Sequence, residues 1–255
     1  MQPSVRKPFD PCLMGILTLS IEDSKCRIKQ LKQDGDPLAE NYDSAYENDE
    51  TLFGSDESHL LQKYADFIPD DASVLDLGVG QGRNVLSLAR RGCQVTGIDT
   101  SQVAVDTVNR LADKENLPLE AHLQDFIDYE PDRAYDVALC FGLLQMLDLQ
   151  GCASLVDRLH HWIRPGGALF LTAWHMEDPS FDTLCREWER RSGRSFRSPD
   201  GKMNRLFLEN GEILKLFFRW EVVHHWEGQG KPHKHGTGEL ESHGEVEVVL
   251  IRPRK

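Results

Sequence analysis

The chain has little of what would tie it to a metal, a membrane or a nucleic-acid coat. Its six cysteines, Cys12, Cys26, Cys93, Cys140, Cys152 and Cys185, form no Cys-x-x-Cys pair and follow no regular spacing. That excludes a zinc-finger ligand set and a disulfide framework. Reduced thiols in a cytoplasmic compartment are the expectation, and no metal is expected. No apolar run approaches the roughly 20 residues of a membrane span; Val137–Leu147, the longest, is interrupted at Gln145. Arg6 and Lys7 ahead of Cys12–Leu19 imitate a signal peptide. Glu22, Asp23 and Lys25 follow at once with no small-residue cleavage site, so that reading is rejected. Cations are also scarce: 29 Lys plus Arg stand against 42 Asp plus Glu, a formal charge of −13 over 255 residues. Counterion release requires clustered Lys and Arg, so no nucleic-acid partner is expected.

The cations are missing above all from Gln33 to Gln62, which holds nine carboxylates and no Lys or Arg. A plain reading makes this run a solvated acidic lead-in. A sharper one makes it a lid, with Tyr42 and Tyr46 reaching inward. Residues 1–45 are thus expected to be an N-terminal extension, partly flexible or lid-forming, and residues 46–255 the main domain.

From residue 56 onward the pattern alternates. Ser55 is expected to cap a helix whose apolar side is Leu60, Leu61, Tyr64 and Phe67. Strands are expected at Ser73–Leu77, Gln94–Ile98, Leu119–Leu123, Asp136–Cys140 and Ala168–Trp174. Between them Arg83–Arg91, a helix capped by Ser101, and a helix with Leu155, Leu159, Trp162 and Ile163 on one face supply the crossovers. Ile213–Phe218 reads as helix, Arg219–Trp226 and Glu245–Ile251 as a closing antiparallel hairpin. The fold class implied is α/β: a doubly wound, seven-stranded, mostly parallel sheet with an antiparallel C-terminal strand.

The segment Val74-Leu75-Asp76-Leu77-Gly78-Val79-Gly80-Gln81-Gly82-Arg83-Asn84 is a strand, a glycine turn and a helix start. Glycines let the backbone turn sharply and approach a ligand that a Cβ would exclude. The spacing is G-x-G-x-G, not the dinucleotide G-x-G-x-x-G. Asp76 ahead of it would repel a pyrophosphate and suit a cationic aminoacyl group. Asp99 ends the second strand, where a carboxylate accepts both ribose hydroxyls. Asp125 and Phe126 follow the third strand, where an acceptor and an aromatic could hold an adenine by its edge and face. The bland alternative is that Asp99 and Asp125 only cap helices or turns.

With Tyr135-Asp136 opening the fourth strand and Arg164-Pro165-Gly166-Gly167 before the fifth, this set resembles the class I S-adenosylmethionine-dependent methyltransferases, from about Ala45 onward. The resemblance implies the Rossmann-like methyltransferase fold and S-adenosyl-L-methionine as cofactor, with S-adenosyl-L-homocysteine as product. It places Gly78, Gly80 and Gly82 around the methionine moiety, Asp99 on the ribose, Asp125 and Phe126 at the adenine, and Asp76 on the amino group. Arg83, Thr100, Cys140 and Phe141, at the same strand ends, join the expected cofactor contacts. Within that family the chain is similar to the tellurite-resistance-type enzymes, through Gly82-Arg83-Asn84, Glu212-Ile213-Leu214, Trp220-Glu221-Val222 and the turn from Pro232 to His243. They act on small thiols and metalloid oxyanions. The expectation is therefore transfer to a small-molecule acceptor by a monomer or homodimer, with 176–210 as an inserted acceptor-side segment. The alternatives are a macromolecular acceptor or a non-catalytic module binding the cofactor or its product. Cys140-Phe141-Gly142-Leu143 stands where base aminomethylation would want Asn/Asp-Pro-Pro-Tyr.

On the acceptor side, a neutral nucleophile needs a base, most often His. His175 and His243 are the candidate catalytic residues. His175 could equally be a satisfied structural histidine. The cluster His224, His225, His233, His235 and His243 could be a solvated loop, acceptor-site groups or a metal site. Cys140 is more plausibly a core residue than a nucleophile. The cations between Arg186 and Arg205 line a solvated helix face or steer an anionic acceptor.

Overall fold

The computed structural model describes residues 37–49, 51–232 and 240–254, with backbone alone for 37–41. Expectations placed on residues 1–36, including Cys12 and Cys26, and on His233 and His235 lie outside the described residues.

Helix α1 (Pro37–Asn48) opens on a proline, whose fixed φ and missing N–H suit a first helical turn. Helix α2 (His59–Lys63) follows. Its cap is Ser58, whose Oγ accepts from Leu60 N at 3.3 Å, and not Ser55. Strand β1 (Ser73–Leu77), helix α3 (Arg83–Arg90), strand β2 (Gln94–Asp99) and helix α4 (Gln102–Glu115) form the first crossovers. Ser101 caps α4 by accepting from Ala104 N at 3.1 Å. Strands β3 (Leu119–Leu123) and β4 (Tyr135–Phe141), helix α5 (Leu149–Trp162) and strand β5 (Ile163–Trp174) complete the parallel part. β5 starts at Ile163, not Ala168, because Pro165-Gly166-Gly167 is taken into the strand rather than breaking it. Gly166 N donates to Arg252 O and Arg252 N to Gly167 O, so the run's main chain is partnered. A Cβ on Gly167 would stand 2.7 Å from Asp136 O, which requires glycine there.

Helix α6 (Ser180–Glu187) and the short strands β6 (Glu189–Arg190), β7 (Ser195–Arg197) and β8 (Asn204–Leu206) form a separate antiparallel sheet within 176–210. Leu184, Phe196 and Phe207 are its core, with Phe181 and Trp188 packed beside them. Helix α7 (Glu212–Leu216) and strands β9 (Glu221–Gln229) and β10 (Gly244–Ile251) finish the chain.

The main sheet runs β3-β2-β1-β4-β5-β10-β9, with β10 antiparallel to both neighbours. The period of two sorts its side chains. Leu75, Ala138, Leu169 and Val248 face Leu155, Leu159 and Ile213 on one side. Val74, Leu139, Phe170 and Val249 face Leu60, Val85, Leu88 and Val108 on the other. The order reverses between β1 and β4, which opens a crevice at their carboxyl ends. Among the described residues no helix is long and apolar enough to cross a membrane.

Candidate active site

The β1–α3 turn is held by backbone bonds from Gly78 N and Val79 N to Ile98 O, at 2.9 and 3.1 Å. Gly78, Gly80 and Gly82 all take left-handed φ values (+79°, +52° and +87°) that side chains disfavour. A Cβ on Gly78 would stand in open space, on Gly80 it would meet Tyr46 Oη at 3.2 Å, and on Gly82 it would strike Val108 Cγ2 at 2.9 Å. Only the first position therefore faces room for a ligand, the second lies under Tyr46, and the third is fixed by packing.

Asp99 Oδ2 accepts from Gly80 N at 2.8 Å and Oδ1 from Ser101 N at 2.9 Å. Burial still holds its pKa above the ordinary carboxylate value, against the Ser101, Gly80 and Thr100 backbone donors. Thr100 is half-buried beside it. Asp76 is buried, and burial, then the Asp99 charge, pushes it well up; Arg83 opposes this weakly. Arg83 Nη1 donates to Phe53 O at 2.7 Å, and burial lowers the guanidinium. Two acids withdrawn from water beside one another form a site that a cationic ligand would relieve. That donor set fits an aminoacyl sulfonium.

Asp125 Oδ1 accepts from Ile127 N at 2.9 Å, so it forms a turn at the end of β3. Phe126 is buried in the core on the α5 side. Phe141 is half-buried at the end of β4. Cys140 does not offer the expected contact. It is 0% exposed in the core, and burial pushes its thiol pKa far up, so it supplies neither surface nor thiolate.

Sequence reading missed the groups that tie residues 43–58 to this turn. Asp43 Oδ1 accepts from Ser101 Oγ and, at 3.2 Å, from Val103 N, an acid placed at the α4 N-terminus. Gln81 Nε2 donates to Asp49 O at 2.6 Å while its Oε1 accepts from Leu52 N at 3.0 Å. Asn84 Oδ1 accepts from Ser58 N at 2.9 Å. Tyr42 and Tyr46 lie inward, their ring centroids 5.7 Å apart. Burial raises both hydroxyl pKa values, and Asp99 raises them further.

Beyond the end of β4, Tyr42 Oη donates to Met146 Sδ at 3.6 Å. Met146 belongs to a short 3-10 helix, Leu144–Met146, after β4. Gln145 beside it has a buried Oε1 without a partner. Trp174, ending β5, stacks on His243 with centroids 4.7 Å apart and planes 18° off parallel. His243 Nδ1 pairs with Asp178 Oδ2 at 2.8 Å, and that bond raises the imidazole pKa. Asp178 also accepts from Gly244 N at 3.1 Å and Ser180 N at 2.8 Å; burial raises its pKa, but His243 and the Ser180 hydroxyl and backbone donors bring it below the ordinary value. His175 does not join this group. It is 2% exposed, and Nδ1 accepts from Glu177 N at 3.3 Å. The other histidines are engaged elsewhere: His224 Nδ1 meets Tyr64 Oη at 2.9 Å, and His225 Nε2 lies 2.9 Å from Glu227 Oε1. Among the described residues no His, Cys, Asp and Glu cluster could hold a metal.

Residues 74–167, which span the glycine turn and β1 to β5, match the methyltransferase domain family. Those residues carry a methyltransferase domain. A probable (S)-tetrahydroprotoberberine N-methyltransferase 2 from Papaver bracteatum is 30% identical over 173 residues, 66% of this chain and 47% of that protein. A probable S-adenosyl-L-methionine-dependent methyltransferase TehB from Haemophilus influenzae is 27% identical over 161 residues, 63% of this chain and 50% of that protein. The crystal structure of TehB from that organism superimposes with a TM-score of 0.59 at 20% identity, over 76% of this chain and 61% of that one. This last likeness is one of fold. The chain spans about half the length of the curated relatives it matches. The methyltransferase domain thus has its crevice at the carboxyl ends of β1, β2 and β4, and the α6–β8 segment follows β5.

Proposed function

We propose that the chain transfers a methyl group from S-adenosyl-L-methionine to a small-molecule acceptor in the cytoplasm, a thiol or a metalloid oxyanion. When bound, the cofactor supplies an electrophilic methyl carbon on a sulfonium. The observation that carries the reading is the acidic cradle: open space above Gly78, Asp99 tied to Gly80 N, and Asp76 buried beneath. Asp99 would take the ribose hydroxyls, Asp76 the amino group, and Asp125 and Phe126 the adenine. Gly78, Gly80 and Gly82 would border the methionine portion, with Arg83, Thr100 and Phe141 around it. A thiolate or oxyanion needs no base, so the chain's task is alignment, which can supply about 7–11 kcal/mol.

Calorimetry with S-adenosyl-L-methionine and S-adenosyl-L-homocysteine tests the cofactor. Binding by the wild type and its loss in Asp99→Ala are expected, and no binding refutes the assignment. A screen of thiols, selenite and tellurite then tests the acceptor. Label appearing only in protein or nucleic acid would exclude a small-molecule acceptor, and tight product binding without turnover on anything would indicate a binding module.

A second reading, an amine acceptor, is favoured by one observation. His243 is oriented by Asp178 as a general base would be. Asp178 is then a positioning residue. A rate that falls on the acid side as His243 takes up its proton would support it, and a flat pH profile would exclude it.

A further inference from the structure

One cation on the acceptor side is left short of partners. Arg205 Nη1, on β8, donates to Asn204 O at 2.9 Å and to Met146 Sδ at 3.1 Å. Trp174 and Trp188 flank the guanidinium, their ring centroids 5.4 and 5.8 Å from Cζ. Among the described residues no carboxylate pairs with Arg205, and its Nε and Nη2 donors meet no protein acceptor. Two arginines of the same stretch differ: Arg194 pairs with Glu212, and Arg191 with Glu189 at 2.7 Å. Withdrawing a guanidinium from water without a counter-charge is unfavourable, and burial does push this one's pKa down. A thioether is a weak acceptor, yet Met146 Sδ receives both Arg205 and the Tyr42 hydroxyl. Tyr42 adjoins Tyr46 over the glycine turn, so this cation belongs to the same site.

We infer that Arg205 binds a carboxylate of the acceptor through its Nε–Nη2 edge. That edge is the one a carboxylate grips with two parallel hydrogen bonds. The inference rests on the methyl-transfer reading and adds the acceptor class, an organic acid whose carboxylate stands apart from the methylated atom.

The test titrates 4-mercaptobenzoate and 4-mercaptobenzamide into the full chain loaded with S-adenosyl-L-homocysteine. The wild type is expected to prefer the acid about 10–100-fold, the usual range for hydrogen bonds to a charged group. Arg205→Gln should abolish that preference at unchanged S-adenosyl-L-homocysteine affinity. Arg205→Lys, a charge without the fork, should keep part of it. Equal binding of the pair, no binding of the acid, or a preference that survives Arg205→Gln overturns the inference. Should the glutamine variant fail to fold, a preference in Arg205→Lys equal to the wild type's overturns it instead. Failure of the wild type to bind S-adenosyl-L-homocysteine overturns the methyl-transfer reading and appears in the first titration.

Discussion

Two glycines of one turn, changed to the same residue, should separate ligand space from packing. Gly78 and Gly82 share left-handed φ values, +79° and +87°. Forcing an L side chain there costs about 1–2 kcal/mol at either position. A Cβ on Gly78 then meets nothing within 4 Å, whereas on Gly82 it lies 2.9 Å from Val108 Cγ2 and 3.3 Å from Leu86 Cδ1. Both neighbours sit in a packed core, so overpacking adds about 1–3 kcal/mol at Gly82 alone. The expected losses are about 1–2 kcal/mol for Gly78→Ala and about 2–5 kcal/mol for Gly82→Ala. At about 2–4 °C per kcal/mol for a domain of this size, Tm should fall by roughly 2–8 and 4–20 °C. Ligand dependence runs the other way. S-adenosyl-L-homocysteine at 100 times Kd stabilises a binder by about 2.7 kcal/mol, and Gly78→Ala should lose that increment, because its methyl stands in the cofactor's space. Thermal scans with and without S-adenosyl-L-homocysteine measure both. Retained ligand stabilisation in Gly78→Ala would refute the placement of the cofactor, and equal Tm losses would refute the packing argument.

Four further outcomes are expected. On the amine reading, the acid limb of the rate should move to lower pH in Asp178→Asn, because the charge that raises His243 is gone, and kcat should fall with lost orientation; a pH–rate profile checks this. The same pair contributes stability above the ordinary Asp value of 3.8, lost as Asp178 protonates, and below the ordinary His value of 6.5, lost as His243 deprotonates. The denaturation difference between wild type and Asp178→Asn should therefore be largest between pH 3.8 and 6.5. Ser101→Ala removes the α4 cap and a partner of Asp43, and denaturant unfolding should show a loss of about 1–2 kcal/mol. Asp43→Ala should weaken S-adenosyl-L-homocysteine binding and speed amide exchange in α1 more than it lowers Tm, since two of the bonds holding α1 to α4 end on that carboxylate.

Local pattern was enough for the strands that carry the cofactor side. β1 and β3 have the bounds their apolar runs suggest, and Ser101 caps α4 because its serine precedes a clear i, i+4, i+7 stripe. The start of β5 is not legible locally, since partners for Gly166 and Gly167 come from Arg252, far along the chain. α1 escaped because nine carboxylates between Gln33 and Gln62 look like a solvated run, while its docking depends on Asp43, Tyr42 and Tyr46 finding distant partners. The two tyrosines stand four apart, which on a helix is one face, and that was the available signal. Arg205 is one of several arginines in its stretch, and nothing local marks it. What sets it apart is the company it finds, two indoles and the Met146 thioether, a tertiary fact.

The net charge of −13 obscures a site with two poles. Asp76, Asp99 and Asp43 gather at the β1, β2 and α4 ends, and Arg205 stands alone on the other side of Tyr42. That tyrosine registers both: Asp99 raises its pKa and Arg205 lowers it. Such polarity constrains which anion Arg205 can usefully hold. Methyl transfer from a sulfonium to an anionic nucleophile cancels both charges, so a cation gripping the reacting atom would stabilise the ground state more than the transition state and slow the step. A cation gripping a carboxylate that keeps its charge throughout stabilises both states alike and orients the acceptor, so it adds affinity without raising the barrier. On the proposed reading, Arg205→Gln should therefore raise KM for an acidic acceptor far more than it lowers kcat. A rise in kcat would mean that Arg205 touches the reacting atom after all.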